Sequence, residues 1–460
     1  MIRFPLRFLI AVLLVVNLYS VGTLMTKPAY WYDEALNVEL ARNFADFGKL
    51  DLIVAPDTFS GRGATVGSTG YPITVPLAGF FKVFGFGLAQ ARIFMLLWMS
   101  ACLLVLFFVA QKLWGHMVAY GSTLLVATFA PFYGNGRSVM GEIPGFLFFL
   151  LSFYFLEKEK WWQSGVLLGL TVVSKPSVFI FLIPAYMLVL LCRNALWKDN
   201  IIHLAKVGSA SLTALVPWFL IYWEEILEGS IVTKIVSHFT NPYQEAGLSI
   251  WTNVSHNLST FFHSSTLVYF LILFLLVIAA LYLDRALVRT HRSIFILSAV
   301  YLPLIFFQYL KSAGYLRYLI AAEFLVFILF LLALPILTRR YLPATIALLV
   351  VFQCTHLLWF SDIYAGERTQ KTLSYLSSAY PEGTIGIMNL PQVGSFIASD
   401  RKYQYLSTYG LWQFGVNPLL LPFEQIPGIL VADSDDPAFS SFYAKDTAFS
   451  EGFTVYRRKK

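Results

Sequence analysis

The sequence predicts an all-α polytopic membrane protein of about eleven transmembrane helices, with interfacial helices in the first outer loop and a small C-terminal α/β soluble domain. Three observations predict it. Hydrophobic residues make up 58% of the 460 positions and charged residues only 13%, with a mean hydropathy of +0.67, whereas charge is roughly a quarter of a soluble domain. Apolar runs recur at about the length, ~20 residues, that a helix needs to cross a bilayer, and basic residues cluster at alternate ends of them. From Ser361 the composition turns to an ordinary polar mixture, long enough for a small soluble unit, so the chain divides into residues 1–362 and 363–460.

The net charge of +7 is spread over loops without a dense basic run, which speaks against nucleic acid and for membrane orientation. Cys102, Cys192 and Cys354 fall inside apolar runs and read as packing residues.

Taken in order, the run over residues 5–25 lacks a small-residue cleavage site and reads as a retained span, with Arg3 and Arg7 cytoplasmic. The loop from Lys27 to Lys82 is then outside. In it Tyr30, Trp31 and Tyr32 precede Asp33 and Glu34, and aromatic rings favour the lipid–water interface. From Asp33 the chain reads as an amphipathic helix lying along the bilayer, with Leu36, Leu40, Phe44 and Phe47 on one side and Gly48 as its stop. Neighbouring helical residues diverge, so Asp33 and Glu34 cannot both face one substrate atom. Asp33 is taken as the chemical group, with a helix cap as its alternative role. A short apolar piece ending at Gly85 is too short to cross and reads as a re-entrant or surface helix.

The remaining spans are expected at residues 93–109, 118–132, 143–155, 163–173, 178–191, 201–223, 267–283, 294–310, 319–337 and 342–360. The third delivers Arg137 and Glu142 to the face of Asp33, the fifth climbs to Lys175-Pro176, and the ninth rises to Lys311 and to Arg317-Tyr318. A polar loop is expected from Glu224 to about Thr266. In the C-terminal part a helix is expected over 367–380 and strands over 384–389, 428–432 and 453–456.

Acids beside cations at a membrane surface suit a reaction in which one carboxylate takes a proton from an acceptor hydroxyl while cations hold a phosphate leaving group. Phosphate needs no proton to leave, so one base suffices. The candidates are Asp33 and Glu142 for catalysis, with Glu34, Arg137, Lys175, Arg317 and Tyr318 for substrate binding. Each has a plainer reading. Arg137 and Glu142 can pair with each other at a helix entrance, and Lys175 and Lys311 can be snorkelling span ends. Arg317 is the better phosphate candidate, because guanidinium binds phosphate as a fork. Asp433-Ser434-Asp435-Asp436 looks like the acidic pair of soluble nucleotide-sugar enzymes, but the domain is too short for such a sheet, and Asp436-Pro437 marks a turn. His238, His256 and His263 match no zinc spacing. The sequons at Asn253 and Asn257 matter only in a glycosylating host.

These residues resemble the membrane glycosyltransferases of the GT-C fold, in the branch of the dolichyl-phosphate-mannose protein mannosyltransferases and the lipid A aminoarabinose transferases. The resemblance rests on Tyr32-Asp33-Glu34, Tyr71-Pro72 before Phe84-Gly85, Arg137 with Glu142, Ser174-Lys175-Pro176 and Arg317-Tyr318, and covers most of residues 1–340. It implies a polyprenyl-phosphate sugar donor and inversion at the anomeric centre without a nucleotide; the one-base scheme above needs no metal or other cofactor. Asp33 would be the base or acceptor-orienting group, Glu142 the second acid near the donor, and Arg317 a phosphate contact. The chain departs from the family at Thr69-Gly70-Tyr71-Pro72, where many members have Lys-Pro-Pro, and at Glu142, where Asp is common.

The expected function is therefore sugar transfer from a polyprenyl phosphate to a glycan, lipid or protein acceptor, by a multi-pass protein of a bacterial inner membrane with its active site facing outward. Membrane lipids are the expected surroundings. A transporter or lipid-linked-glycan flippase is the alternative; it would place ionisable groups near the bilayer midplane on broken helices.

Overall fold

A computed structural model describes residues 3–459 except 57, 194–195, 228–249, 313, 360–365, 398–402, 410–413, 416–420 and 434–436. Helix occupies most of the described residues of each of the eleven apolar runs, with breaks that include 128–129, 180–181 and 213–214. Among the described residues six helices are long and apolar enough to cross a membrane alone: Leu88–Trp114, Trp197–Ile221, Ser265–Leu283, Arg292–Lys311, Leu316–Leu337 and Leu342–Trp359. A seventh crossing exists if His116–Ala127 and Ala130–Gly136, bent by 67° to each other, are counted as one.

The other runs fall short for local reasons. Trp161–Ser174 has 14 residues and stops at Lys175-Pro176, where proline removes a backbone donor and disfavours helix in the residue before it. At ~1.5 Å per residue such a helix covers about 21 Å of a ~30 Å core. The helix after it is itself split into Pro176–Phe179 and Leu182–Leu191.

Leu316–Leu337 is the central helix. Its residues from Ile320 to Leu334 are all buried, as expected of a sequence that is apolar on every side. It packs on Ser265–Leu283 and on His116–Ala127, and Phe324 and Phe327 meet Phe129 edge-on.

The Asp33 helix spans Tyr32–Phe47 and ends as expected, with Gly48 left-handed (φ 72°) and its N–H bonded to the Phe44 carbonyl. Its apolar stripe faces protein. Residues 34–43 are all buried, because the helix is packed on two sides. Leu36, Leu40 and Phe44 meet Leu50, Leu52, Val66 and Tyr222. Ala35, Val38 and Ala41 meet Ile73, Leu77 and Phe81 of the helix Tyr71–Phe84.

The expected polar loop 224–266 contains the helices Trp223–Leu227 and Ile250–His263, with 228–249 outside the described residues. His238 falls there too. Asn257 of the second sequon is buried and donates to the carbonyls of Tyr309, Leu310 and Ser312. It therefore caps the end of Arg292–Lys311, whose last carbonyls have no partner within the helix.

In the C-terminal part, the helix Arg368–Ala379 and a six-stranded mixed sheet replace the apolar pattern. The three expected strands, Gly383–Met388, Ile429–Ala432 and Thr454–Arg458, are its centre: the first pair is parallel, the second antiparallel. Tyr403–Tyr409 and Phe414–Gly415 extend one side and Tyr443–Lys445 the other. This part rests on the Asp33 helix. The Arg42 guanidinium donates to the Ser395 carbonyl at 2.9 Å, and the Tyr30 and Ser395 hydroxyls are bonded at 2.9 Å.

Candidate active site

Four stretches far apart in sequence meet beside the start of the Asp33 helix. Asp33 sits in its first turn, yet the N-cap is Trp31 and no side chain caps the helix. The Asp33 carboxylate instead accepts a hydrogen bond from Arg317 Nη2 at 2.5 Å. Arg317 Nε faces Glu142 Oε1 at 3.9 Å, and Lys175 Nζ lies 3.7 Å from the same oxygen. Acid and base thus alternate in the order Asp33, Arg317, Glu142, Lys175. The first two side chains are 21% and 11% exposed and the last two at most 1%, so the row runs from the surface into the protein.

Each group is placed by its own backbone. Glu142 opens the helix Glu142–Glu157, and Lys175 fills the break between two helices. Close backbone approach brings them together: a Cβ on Gly141 would lie 1.9 Å from the Ser174 carbonyl oxygen, and one on Gly70 would lie 1.9 Å from that of Val173. Only glycine allows such contact. Gly70 also donates its N–H to the Ser174 carbonyl at 3.1 Å. Asn37, one turn beyond Asp33, donates to the Val139 carbonyl at 2.8 Å and to Thr69 Oγ1 at 3.1 Å, tying two stretches to one helix.

Arg317 lies in the turn Leu316–Leu319 that opens the central span. Three rings surround its guanidinium: Tyr315 at 4.2 Å, Trp31 at 4.6 Å and Tyr318 at 5.6 Å. The ring faces attract the cation, so Tyr318 is found supporting Arg317. Both oxygens of Glu142 and the Nε of Arg317 are buried without a hydrogen bond. Such unmet groups are uncommon, and here three of them face one another within one cluster of charges.

Two candidates are placed differently. Glu34 does not face this row: it is fully buried and held in a two-pronged pair by Arg92, at 3.0 Å to Nε and 2.9 Å to Nη2. The divergence of neighbouring helical residues sends Asp33 to the site and Glu34 into the core. Arg137 does not pair with Glu142. It donates to Thr23 Oγ1 at 2.5 Å and to the Tyr133 carbonyl at 3.3 Å, between the rings of Tyr19 and Tyr133. There it helps line a cavity of about 760 Å³, which takes in Arg317 of the row and the Trp31 and Tyr315 rings beside it. Sequence reasoning missed Arg92, Asn37 and, in the cavity wall, Lys27, and it read Trp31 only as an interfacial ring. Arg92 sits four residues into a span, and an ionisable residue in a membrane helix is a signal in itself.

Among the described residues no group of three or more His, Cys, Asp or Glu side chains is placed to hold a metal ion. Asp433 is exposed and paired with Arg368 at 3.3 Å, and Asp435 and Asp436 lie outside the described residues.

Residues 74–223 match the family model of the dolichyl-phosphate-mannose-protein mannosyltransferases. The whole chain superposes on a crystal structure of ArnT from Cupriavidus metallidurans bound to undecaprenyl phosphate, with a TM-score of 0.65, 14% identity and coverage of 98% of this chain and 97% of the other. The chain has the GT-C fold. An archaeal oligosaccharyltransferase, AglB from Archaeoglobus fulgidus in complex with an inhibitory peptide and a dolichol-phosphate, shares that fold at a TM-score of 0.52 and 10% identity, covering 98% of this chain and 74% of AglB. No curated protein sequence matches. The resemblance read from the motifs therefore holds at the level of the fold.

Proposed function

We propose that this protein transfers a sugar from a polyprenyl phosphate to an acceptor hydroxyl on the extracytoplasmic face of a membrane, with inversion. The observation that carries the proposal is the meeting of Asp33, Arg317, Glu142 and Lys175 from four separate stretches. Two solved proteins of the same fold hold a polyprenyl-type phosphate, undecaprenyl phosphate in one and dolichol-phosphate in the other.

In this reading the Asp33 carboxylate takes the proton of the acceptor hydroxyl as its oxygen bonds to the anomeric carbon. The bond from that carbon to the phosphate oxygen breaks on the opposite side, and the electron pair leaves with the phosphate. Cations replace the proton that an ordinary glycoside would need on its leaving group. Arg317 exchanges part of its pairing with Asp33 for the phosphate, and this frees the base. Glu142 keeps Lys175 and Arg317 oriented. The stretch Thr69–Pro72 lacks the lysine common in the family; its Gly70 N–H is bonded to the carbonyl of Ser174, the residue before Lys175, and in this reading the Lys175 ammonium beside Glu142 takes the part of that lysine.

Purified protein with a panel of polyprenyl-phosphate sugars tests this. Asp33→Asn should lower transfer about 100-fold or more, the usual scale for losing a general base, with folding intact. Unchanged turnover would remove Asp33 from the chemistry. Transfer should persist in chelator, because no step draws on a metal.

A further inference from the structure

The cavity beside Arg317 contains an acid that this chemistry leaves unused. Glu323 lies in the helix Ile320–Leu337 and is only 5% exposed. Arg317, Ile320 and Glu323 all line the cavity, and their spacing of three puts them on one face. Among the described residues none donates a hydrogen bond to Glu323 or pairs with it, whereas Glu34 is met by Arg92 and Glu142 by Lys175. An ionisable side chain inside a membrane helix is costly and is retained for a function or a partner.

The rest of the wall indicates the kind of partner. Thr260, Ser264 and Asn135 bring hydroxyl and amide groups, and Trp31 and Tyr315 bring ring faces. About 760 Å³ is within the usual range for a small-molecule site. Rings with many hydrogen-bonding groups suit a polyhydroxylated ligand, and a carboxyl group accepts a hydrogen bond from a hydroxyl in either protonation state.

We propose that Glu323 is a specificity-determining residue of this cavity and accepts a hydrogen bond from a hydroxyl of a sugar held there. The proposal rests on the glycosyltransferase reading. The sugar belongs either to the donor or to a glycan acceptor; the recognition chemistry is the same for both.

The test uses the full chain in lipid nanodiscs and equilibrium binding of three probes: undecaprenyl phosphate, undecaprenyl phosphate carrying a hexose, and a short alkyl glycoside. Glu323→Leu should weaken a sugar-bearing probe about tenfold and leave bare undecaprenyl phosphate unchanged. Glu323→Gln, which keeps an acceptor oxygen, should fall between wild type and Leu. Glu323→Ala should repeat the Leu pattern, which covers a folding failure of either truncation. A loss confined to the undecaprenyl hexose assigns the donor sugar, and a loss with the alkyl glycoside assigns the acceptor. Equal weakening of bare undecaprenyl phosphate, or no change with any probe, overturns the proposal. Wild type that binds neither sugar-bearing probe overturns it together with the transferase reading. Sugar binding that depends on Glu323 without any transfer would sink the transferase reading alone.

Discussion

Arg317 and Glu34 show how little a charge in a motif says until its partner is known. Arg317 touches Asp33 at one nitrogen, faces Glu142 with another, and is held by Tyr315 and Trp31. Lysine would keep the charge and lose both the fork and the flat face that stacks on rings. Arg317→Lys should therefore raise donor KM about tenfold or more, with Arg317→Ala worse and acceptor KM little altered in either; an unaltered donor KM would place phosphate elsewhere. Glu34 calls for a different measurement. Removing one member of a buried pair strands the other, at a cost of about 3–5 kcal/mol. Glu34→Ala should lower thermal stability in detergent by that order, and Arg92→Leu should do the same. A stable Glu34→Ala protein with weakened donor binding would return Glu34 to the substrate.

At the scale of elements, contacts with backbone decide where the row of charges lies. Gly141 lets the start of the Glu142 helix press on Ser174. A methyl group there must push the two apart, and overpacking of this kind costs about 1–3 kcal/mol. Gly141→Ala should thus lower transfer more than tenfold at a modest cost in stability, with its main effect on kcat; full activity would mean that the Glu142–Lys175 spacing is unimportant. The elements themselves were largely legible in the sequence. The eleven apolar runs, the stop at Gly48 and the central strands stand where period and turn residues put them, because those signals are local. What was not legible depends on which elements pack together. Leu36 and Leu40 read as a lipid-facing stripe, yet they meet Leu52 and Tyr222. Nothing in an apolar period distinguishes lipid from protein as its neighbour. Asn257 read as a sequon because its role as a cap depends on a helix that begins 35 residues later, at Arg292.

On the scale of the whole molecule, the candidate site is built on a helix clasped from two directions, by the helix Leu88–Trp114 and by the turn after Pro391–Gly394 in the C-terminal part. Arg92 reaches Glu34 from a span, and Ser395 holds Arg42 and Tyr30 of the same segment. The order of motifs along the sequence brought Asp33, Glu142, Lys175 and Arg317 to one face, but not this bracing, since Ser395 carries no signal of its own. Arg42→Ala should then slow transfer although it is remote from the charges, and measured hydrogen exchange in residues 32–47 should rise with it. The C-terminal part has an electrostatic clasp as well. Burial pushes the Asp446 carboxyl up, and hydrogen bonds from Tyr375, Tyr380 and Arg457 more than reverse this, holding it at about 2. An unfolded aspartate titrates near ~3.9. Because the folded value is the lower one, the stabilisation is complete above about pH 4 and is lost as pH falls through about 2. Hydrogen exchange in Tyr443–Lys445 and Thr454–Arg458 should accordingly rise across that interval in wild type. Asp446→Asn should exchange faster already at neutral pH and lose the acid-dependent increment; a variant with the wild-type acid profile would show that another carboxylate controls it.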